Sequence, residues 1–362
     1  MRRTASFSSA LRMAAFLVAS GILASLLLVG ARPASAQEAR RFRVGYLEGG
    51  PYWTFNETMK AIKDALDKVG WLQQVEFVKD ASFSPGWGDD KSALIESARK
   101  LMDRNDLDVV ISAGTDATQA LLANNNGKTP IIGIEISDPV GSGFVKSQET
   151  SGVDNFTTKV EPELYKTMFY LFHSVVNFKK LGLLYSDTVN GRIYSNVAEA
   201  RKVARERGFK LVEYNRLSSA EGSEECRKGL RWLIDQGIDA FFIPSLACFD
   251  ITESSCAEML KMLNDRKVPT FARDGSEYVR AGAFLGFSTS DFSQKGRFFA
   301  DQLISILQGE KPGSLKMTSK SYPKIALNFR VAQDLGFQLS SDILTACDEI
   351  FLKVARPSFL GQ

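Results

Sequence analysis

The sequence predicts an α/β protein of two doubly wound, Rossmann-like lobes joined by a hinge of several chain crossovers. Three observations carry this. Short β-branched and aliphatic runs alternate with stretches whose apolar residues recur at helical spacing. The alternation occurs twice in series, with no residue-level repeat between the halves. Residues 37–362 are also too many for one ordinary core.

The first 36 residues read as an export signal. Arg2, Arg3 and Arg12 form a positive start, Met13 to Gly30 is uncharged and mostly apolar, and Ala34-Ser35-Ala36 is an A-x-A cleavage site. Cleavage after Ala36 is expected, with an uncleaved membrane anchor as the alternative. The signal also holds four of the arginines and no acid. The remainder has 41 basic and 42 acidic residues, which gives no electrostatic case for nucleic acid or an anionic membrane as partner.

Arg43 to Leu47 alternates as a first strand and is broken by Glu48-Gly49-Gly50-Pro51. Met59, Ile62, Leu66 and Val69 then recur at helical spacing, with Asn56 as cap and Gly70 as stop. Val75 to Val78 is a second strand, followed by the loop Phe83 to Gly88. Leu94, Ile95, Ala98, Leu101 and Met102 mark the next helix. Val109-Val110-Ile111 has the continuous apolar character of a strand buried on both faces. It runs through Gly114 into a helix that Thr115 or Asp116 would cap, and such a helix start offers unpaired N–H groups and a positive dipole end to an anionic ligand group. Pro130 to Ile136 is the fourth strand.

The second series begins near Lys159, after the extended stretch Ser151 to Phe156. A helix carries Leu164, Met168, Leu171, Phe172 and Val175, and strands are expected at 181–185, 210–214, 240–243, 270–272 and 283–287. The helix with Phe298, Leu303, Ile304 and Leu307 is expected to return to the first lobe, and strand 325–328 to cross back. The expected division is therefore 37–158 with 289–324, and 159–288 with 325–362. A cleft between two such lobes is the default ligand site, and several crossovers form a hinge for closure around a ligand.

The four cysteines, Cys226, Cys248, Cys256 and Cys347, follow the export segment, so a disulfide is expected. Proximity favours Cys248 with Cys256. Their spacings match no zinc pattern, and His173 is the only histidine, so a structural role is expected for it. Nucleophile-elbow, Walker, dinucleotide and metal-histidine motifs are absent from the sequence, and no cofactor is expected.

Val44-Gly45-Tyr46, Ser112 to Ala120, Ser137-Asp138-Pro139-Val140-Gly141-Ser142-Gly143-Phe144-Val145, Gly152-Val153, Lys180 to Tyr185, Pro244 and Ala281-Gly282-Ala283 together resemble the type I periplasmic solute-binding proteins. The resemblance is specifically to the ABC-transporter substrate-binding family typified by tryptophan-importer binding proteins. It implies a periplasmic, monomeric, non-enzymatic protein that captures a small solute, an aromatic amino acid first among candidates, for an ABC permease in the inner membrane. A co-receptor that presents its solute to a sensor, and less so a periplasmic hydrolase, are the alternatives.

Several residues become site candidates. The resemblance brings in Tyr46, and it points to Gly114 and Thr115 for a ligand carboxylate. Asp116 and Glu135 depart from the family pattern and add negative charge; Asp116 would either cap its helix or meet a ligand cation. Asp138 is either an Asx-turn residue or a cleft residue, and Asp274, at a strand end, is a candidate for a ligand amine. Trp53 and Tyr185 are candidate flat walls, against the alternative that both pack locally.

Overall fold

A computed structural model describes residues 40–161, 163–288, 292–319 and 324–360. The export segment expected over 1–36 lies outside these residues, as do 289–291 and 320–323 in two of the crossovers.

In the first lobe β1 (Phe42–Glu48), α1 (Trp53–Lys68), β2 (Val75–Phe83), α2 (Ser92–Met102), β3 (Val109–Ala113), α3 (Thr115–Ala123), β4 (Ile131–Ile134) and β5 (Phe156–Thr158) follow in order. Their five strands form one parallel sheet, β2-β1-β3-β4-β5. The strand order reverses direction between β1 and β3, so the connections after these two strands diverge to opposite faces and leave a crevice at their carboxyl ends. Val109 to Ala113 is buried at every position, as its unbroken apolar run requires.

The second lobe runs through α4 (Leu164–Val176), β6 (Lys180–Leu184), α5 (Val189–Tyr194), α6 (Val197–Arg207), β7 (Lys210–Tyr214), α7 (Ser223–Asp235), β8 (Ala240–Ile243), α8 (Ser254–Asp265), β9 (Thr270–Ala272), α9 (Ser276–Arg280) and β10 (Leu285–Ser288). After α10 (Phe292–Leu307) the chain adds β11 (Lys324–Asn328), α11 (Phe329–Leu335), α12 (Ser341–Ala346) and β12 (Glu349–Phe351). The sheet order is β12-β11-β10-β9-β8-β6-β7, parallel except between β10 and β11. That antiparallel pair interrupts an otherwise parallel sheet. Between β10 and β11 the chain leaves for the other lobe, so no local helical crossover fixes the direction of the returning strand.

Helix α10 packs along α1 of the first lobe, and Gly296 is what permits the approach: a Cβ there would sit 2.4 Å from the Ala61 carbonyl group. Two crossovers also touch, Val160 pairing with Thr318 in a parallel bridge. One apolar cluster extends through both lobes, from Trp53, Phe55 and Ile62 to Tyr278, Val279 and Phe299.

Helix α1 starts three residues before the expected cap. Asn56 is exposed within the first turn, and the Trp53 N–H is taken instead by Asp250 Oδ2 of the second lobe at 2.9 Å. A tertiary partner has replaced the local one.

The cysteine pairing also differs from the one expected by proximity. Cys226 bonds Cys248 across a Cα separation of 6.4 Å, while Cys256 is a buried free thiol. Cys226 lies in the first turn of α7, which packs against the loop after β8. Cys256 belongs to the buried stripe Cys256, Met259, Leu260, Leu263 of α8, so helical periodicity turns its sulfur into the core. The bridge closes a sequence separation of 22, for which chain entropy predicts about 3 kcal/mol of stabilisation. Cys226→Ser is expected to lower the denaturation midpoint accordingly, and peptide mapping without reductant should recover 226 linked to 248 with Cys256 free.

Candidate functional site

A cavity of about 70 Å³ lies where the strand carboxyl ends of the two lobes face each other. The first lobe contributes Gly49 after β1, Gly114, Thr115 and Asp116 after β3, and Glu135 and Ser137 after β4. The second contributes Tyr194 from α5, Ser219 and Glu221 after β7, Ser245 and Ala247 after β8, and Arg273 and Asp274 after β9. A wider cavity of about 470 Å³ shares Asp116, Tyr194, Ser219 and Glu221 with it and continues outward past Lys91 and Asn190.

The turn at Gly114 builds the inner wall. Its φ of 84° lies in the left-handed region, and a Cβ would come within 2.8 Å of the Phe55 ring. Gly114 stands at the N-cap of α3, and no side chain caps the helix. Thr115, 3% exposed, is instead the first helical residue, and its buried hydroxyl has no hydrogen-bond partner. Such an orphan in a cleft, beside an uncapped helix start, is a vacant donor for an anionic group.

Asp116 does not cap α3 either. It is only slightly exposed and accepts Lys91 Nζ at 2.8 Å, Asn190 Nδ2 at 2.5 Å and Tyr194 Oη at 2.7 Å, the last two from the opposite lobe. Glu135 has a left-handed φ of 53° and accepts Thr58 Oγ1 at 2.6 Å and Lys295 Nζ at 2.8 Å. Asp274 accepts Tyr52 Oη at 2.8 Å and Ser245 Oγ, and pairs with Arg273 Nε at 3.4 Å. Arg273 itself donates to Ser137 Oγ, Tyr165 Oη and the Tyr194 carbonyl, so its guanidinium ties the cavity floor across the seam.

Thus Gly114, Thr115, Asp116 and Asp274 come together, and four other candidates stay outside the cavity lining. Asp138 receives the Gly141 N–H at 2.8 Å and closes its own turn, the Asx reading. Tyr185 shares a sheet face with Leu181 and Leu183 in the second-lobe core, because alternate strand residues point the same way, and it bonds Glu213 and Arg201. Tyr46 donates to Glu48 Oε2 at 2.6 Å. Trp53 is 3% exposed and seals the interlobe seam, its indole N–H on Tyr278 Oη at 3.2 Å and its ring stacked on Phe359. The aromatic lining is Tyr52, Phe55 and Trp87 from the first lobe and Tyr194 from the second. Trp87 folds back over Gly50 and donates to the Pro51 carbonyl, a contact 36 residues apart that local pattern could not expose. His173 stacks on Phe209, away from the cleft.

Glu221 was not signalled by any motif. It sits in a loop with a left-handed φ of 50°, is 7% exposed, and burial pushes its carboxyl up to about 8, with Asp116 adding to the rise against Ala247 N–H and Lys91. Its stability linkage follows. At pH 4 the carboxyl is protonated both folded and unfolded, whereas above pH 8 the folded protein must bury a charge that the unfolded chain solvates. Glu221→Gln is therefore expected to stabilise the ligand-free protein by ~2–4 kcal/mol above pH 8 and to make no difference near pH 4. Thermal melts of the two proteins at both pH values check this.

The chain matches the family described as ABC transporter substrate binding protein over residues 54–351. It is 27% identical over 248 residues to the tyrosine-binding protein of Clostridioides difficile strain R20291, covering 68% of each chain. Among solved structures it resembles a conserved domain protein of Vibrio cholerae, with TM-score 0.73, 22% identity, and coverage of 86% of this chain and all of that one. It likewise resembles a Streptococcus pneumonia ABC domain in complex with L-Trp, with TM-score 0.70, 20% identity, and coverage of 85% and 100%. The two structures share its fold, and the family match, which spans most of the chain, makes it a member of the ABC transporter substrate-binding protein family.

Proposed function

We propose that this protein captures an amino acid, with an aromatic one foremost, in the cavity between its lobes and hands it to an ABC permease of the inner membrane. It acts as an exported periplasmic monomer, released by cleavage after Ala36, and performs no chemistry on its ligand. The lobes comprise 37–158 with 289–324, and 159–288 with 325–362, and they close about the crossovers between them.

One observation carries the ligand reading: the unpartnered Thr115 hydroxyl beside the uncapped start of α3, inside the cavity. A ligand carboxylate supplies the acceptor that hydroxyl lacks and the negative charge that the helix end favours. The Phe55 and Trp87 rings, 6.4 Å apart and tilted, line the same space and suit a flat apolar side chain. Tyrosine, for which the Clostridioides difficile relative is named, and L-Trp, held by the Streptococcus pneumonia structure, agree with both features.

Calorimetric titration with the aromatic, basic and aliphatic amino acids, peptides, nucleosides and sugars tests the reading. An aromatic amino acid is expected to bind best, and Thr115→Ala to weaken it by about 1–3 kcal/mol, roughly tenfold to a hundredfold. A best ligand without a carboxylate, or unchanged affinity in Thr115→Ala, overturns the pose.

Closure is tested separately at Asp116, which accepts Tyr194 Oη from the facing lobe. Tyr194→Phe keeps the ring in the cavity wall and removes only that hydroxyl, so it is expected to speed ligand release about tenfold and to leave the association rate within about twofold. Stopped-flow fluorescence reads both rates, and an unchanged release rate would rule out a latch at this bond.

A further inference from the structure

Four carboxylates line the cavity, and three are already matched by protein donors. Asp116 has Lys91, Asn190 and Tyr194; Glu135 has Lys295 and Thr58; Asp274 has Tyr52, Ser245 and Arg273. Glu221 is the exception. Its Oε2 accepts the Ala247 N–H at 2.7 Å, and among the described residues no side chain donates to it and no cation pairs with it. An ionised carboxylate offers about four acceptor positions, so a buried one with a single backbone donor is under-supplied. It faces the cavity from the second lobe, while the unpartnered Thr115 hydroxyl faces it from the first.

Resting on the amino-acid reading above, we infer that Glu221 is the partner of the ligand's ammonium group, and that a ligand must be a cation at that end to be selected. Asp274, the sequence's candidate for this role, is occupied by Tyr52, Ser245 and Arg273, and Asp138 by its own turn. A zwitterion held by Thr115 and Glu221 joins the two lobes, so both ends of the ligand favour the closed form.

The charged and titratable groups facing Glu221 are Asp116 from α3, Lys91 before α2 and Tyr194 from α5, with Arg273 and Asp274 along the same cavity. Lys91 is engaged by Asp116, so no cation neutralises Glu221 until the ligand arrives. Glu221 then enters the ligand-free cavity protonated at neutral pH, with its carboxyl near 8, and an incoming ammonium displaces that proton to solvent. Affinity should rise about tenfold from pH 6.5 to 7.5 and level off above pH 8.

The test is calorimetry at pH 7 in phosphate and in Tris, whose ionisation enthalpies differ. The probes are L-tryptophan and L-tyrosine, the amines tryptamine and tyramine, and the des-amino acid indole-3-propionate. For the wild type we expect release of about one proton per amino acid bound, and at least about tenfold weaker binding of the des-amino acid. Glu221→Gln should abolish proton release and the preference for the amine, and leave the des-amino affinity within about twofold. Equal loss for all probes in Glu221→Gln would make the residue structural and overturn the inference. So would absent proton release in the wild type, a result that holds whether or not the variant folds, and so would a preference erased by Asp274→Asn while Glu221→Gln retains it. If the amines bind with proton release but the amino acids do not, the carboxylate reading fails and the Glu221 assignment stands. If no amine-bearing probe binds, both fall.

Discussion

Hydrogen bonds from one lobe to a carboxylate of the other hold the cleft together. Asp250 of the second lobe takes the Trp53 N–H at the start of α1; Asp274 takes the Tyr52 hydroxyl; Asp116 of the first lobe takes Tyr194 and Asn190; Asp89 takes the Ser219 N–H. Each bond is charge-assisted, and so is stronger and more directional than a neutral one. Because the acceptors are spread along the seam and belong to both lobes, they set the register of one lobe against the other more sharply than the apolar cluster beneath them, which is indifferent to small slides.

This arrangement explains why an acidic cavity is tolerable beside a proposed carboxylate site. Buried carboxylates are costly unless they are paired. Lys91, Lys295 and Arg273 supply positive charge where Asp116, Glu135 and Asp274 need it. For Lys295, burial opposes its charge, but Glu135 and Glu161 outweigh that and keep its ammonium favoured. Asp116, with Lys91, Asn190 and Tyr194 as donors, is thereby matched within the protein.

The aromatic side chains divide by a similar logic. Trp53, with one wet-capable edge satisfied by Tyr278 and its face against Phe359, works as a plug in the seam. Phe55 and Trp87, held by Gly114 and by the Gly49-Gly50 turn, keep a face toward the cavity. The proposed ligand ring and the seam thus draw on different residues, so a change of cavity aromatics need not loosen the lobes.

The sequence by itself determined the α/β class, most strand positions and the helix opening at Gly114-Thr115, because each rests on local periodicity or on one residue's backbone freedom. Strands 210–214, 240–243 and 270–272 were legible to the residue, since an apolar run bounded by turn residues has little else it can form. Only the tertiary structure decided the rest. Which cysteine faces Cys248, which acid caps α1, whether Asp116 serves its own helix or the facing lobe, and the lining by Trp87 and Glu221 all depend on partners from 22 to 197 residues away. Short β5 and β12 escaped notice for the same reason: neither has a bounded apolar run of its own, and only pairing with β4 and β11 makes them strands. A chain pattern records what a residue can do, whereas a buried polar group takes the partner that folding delivers.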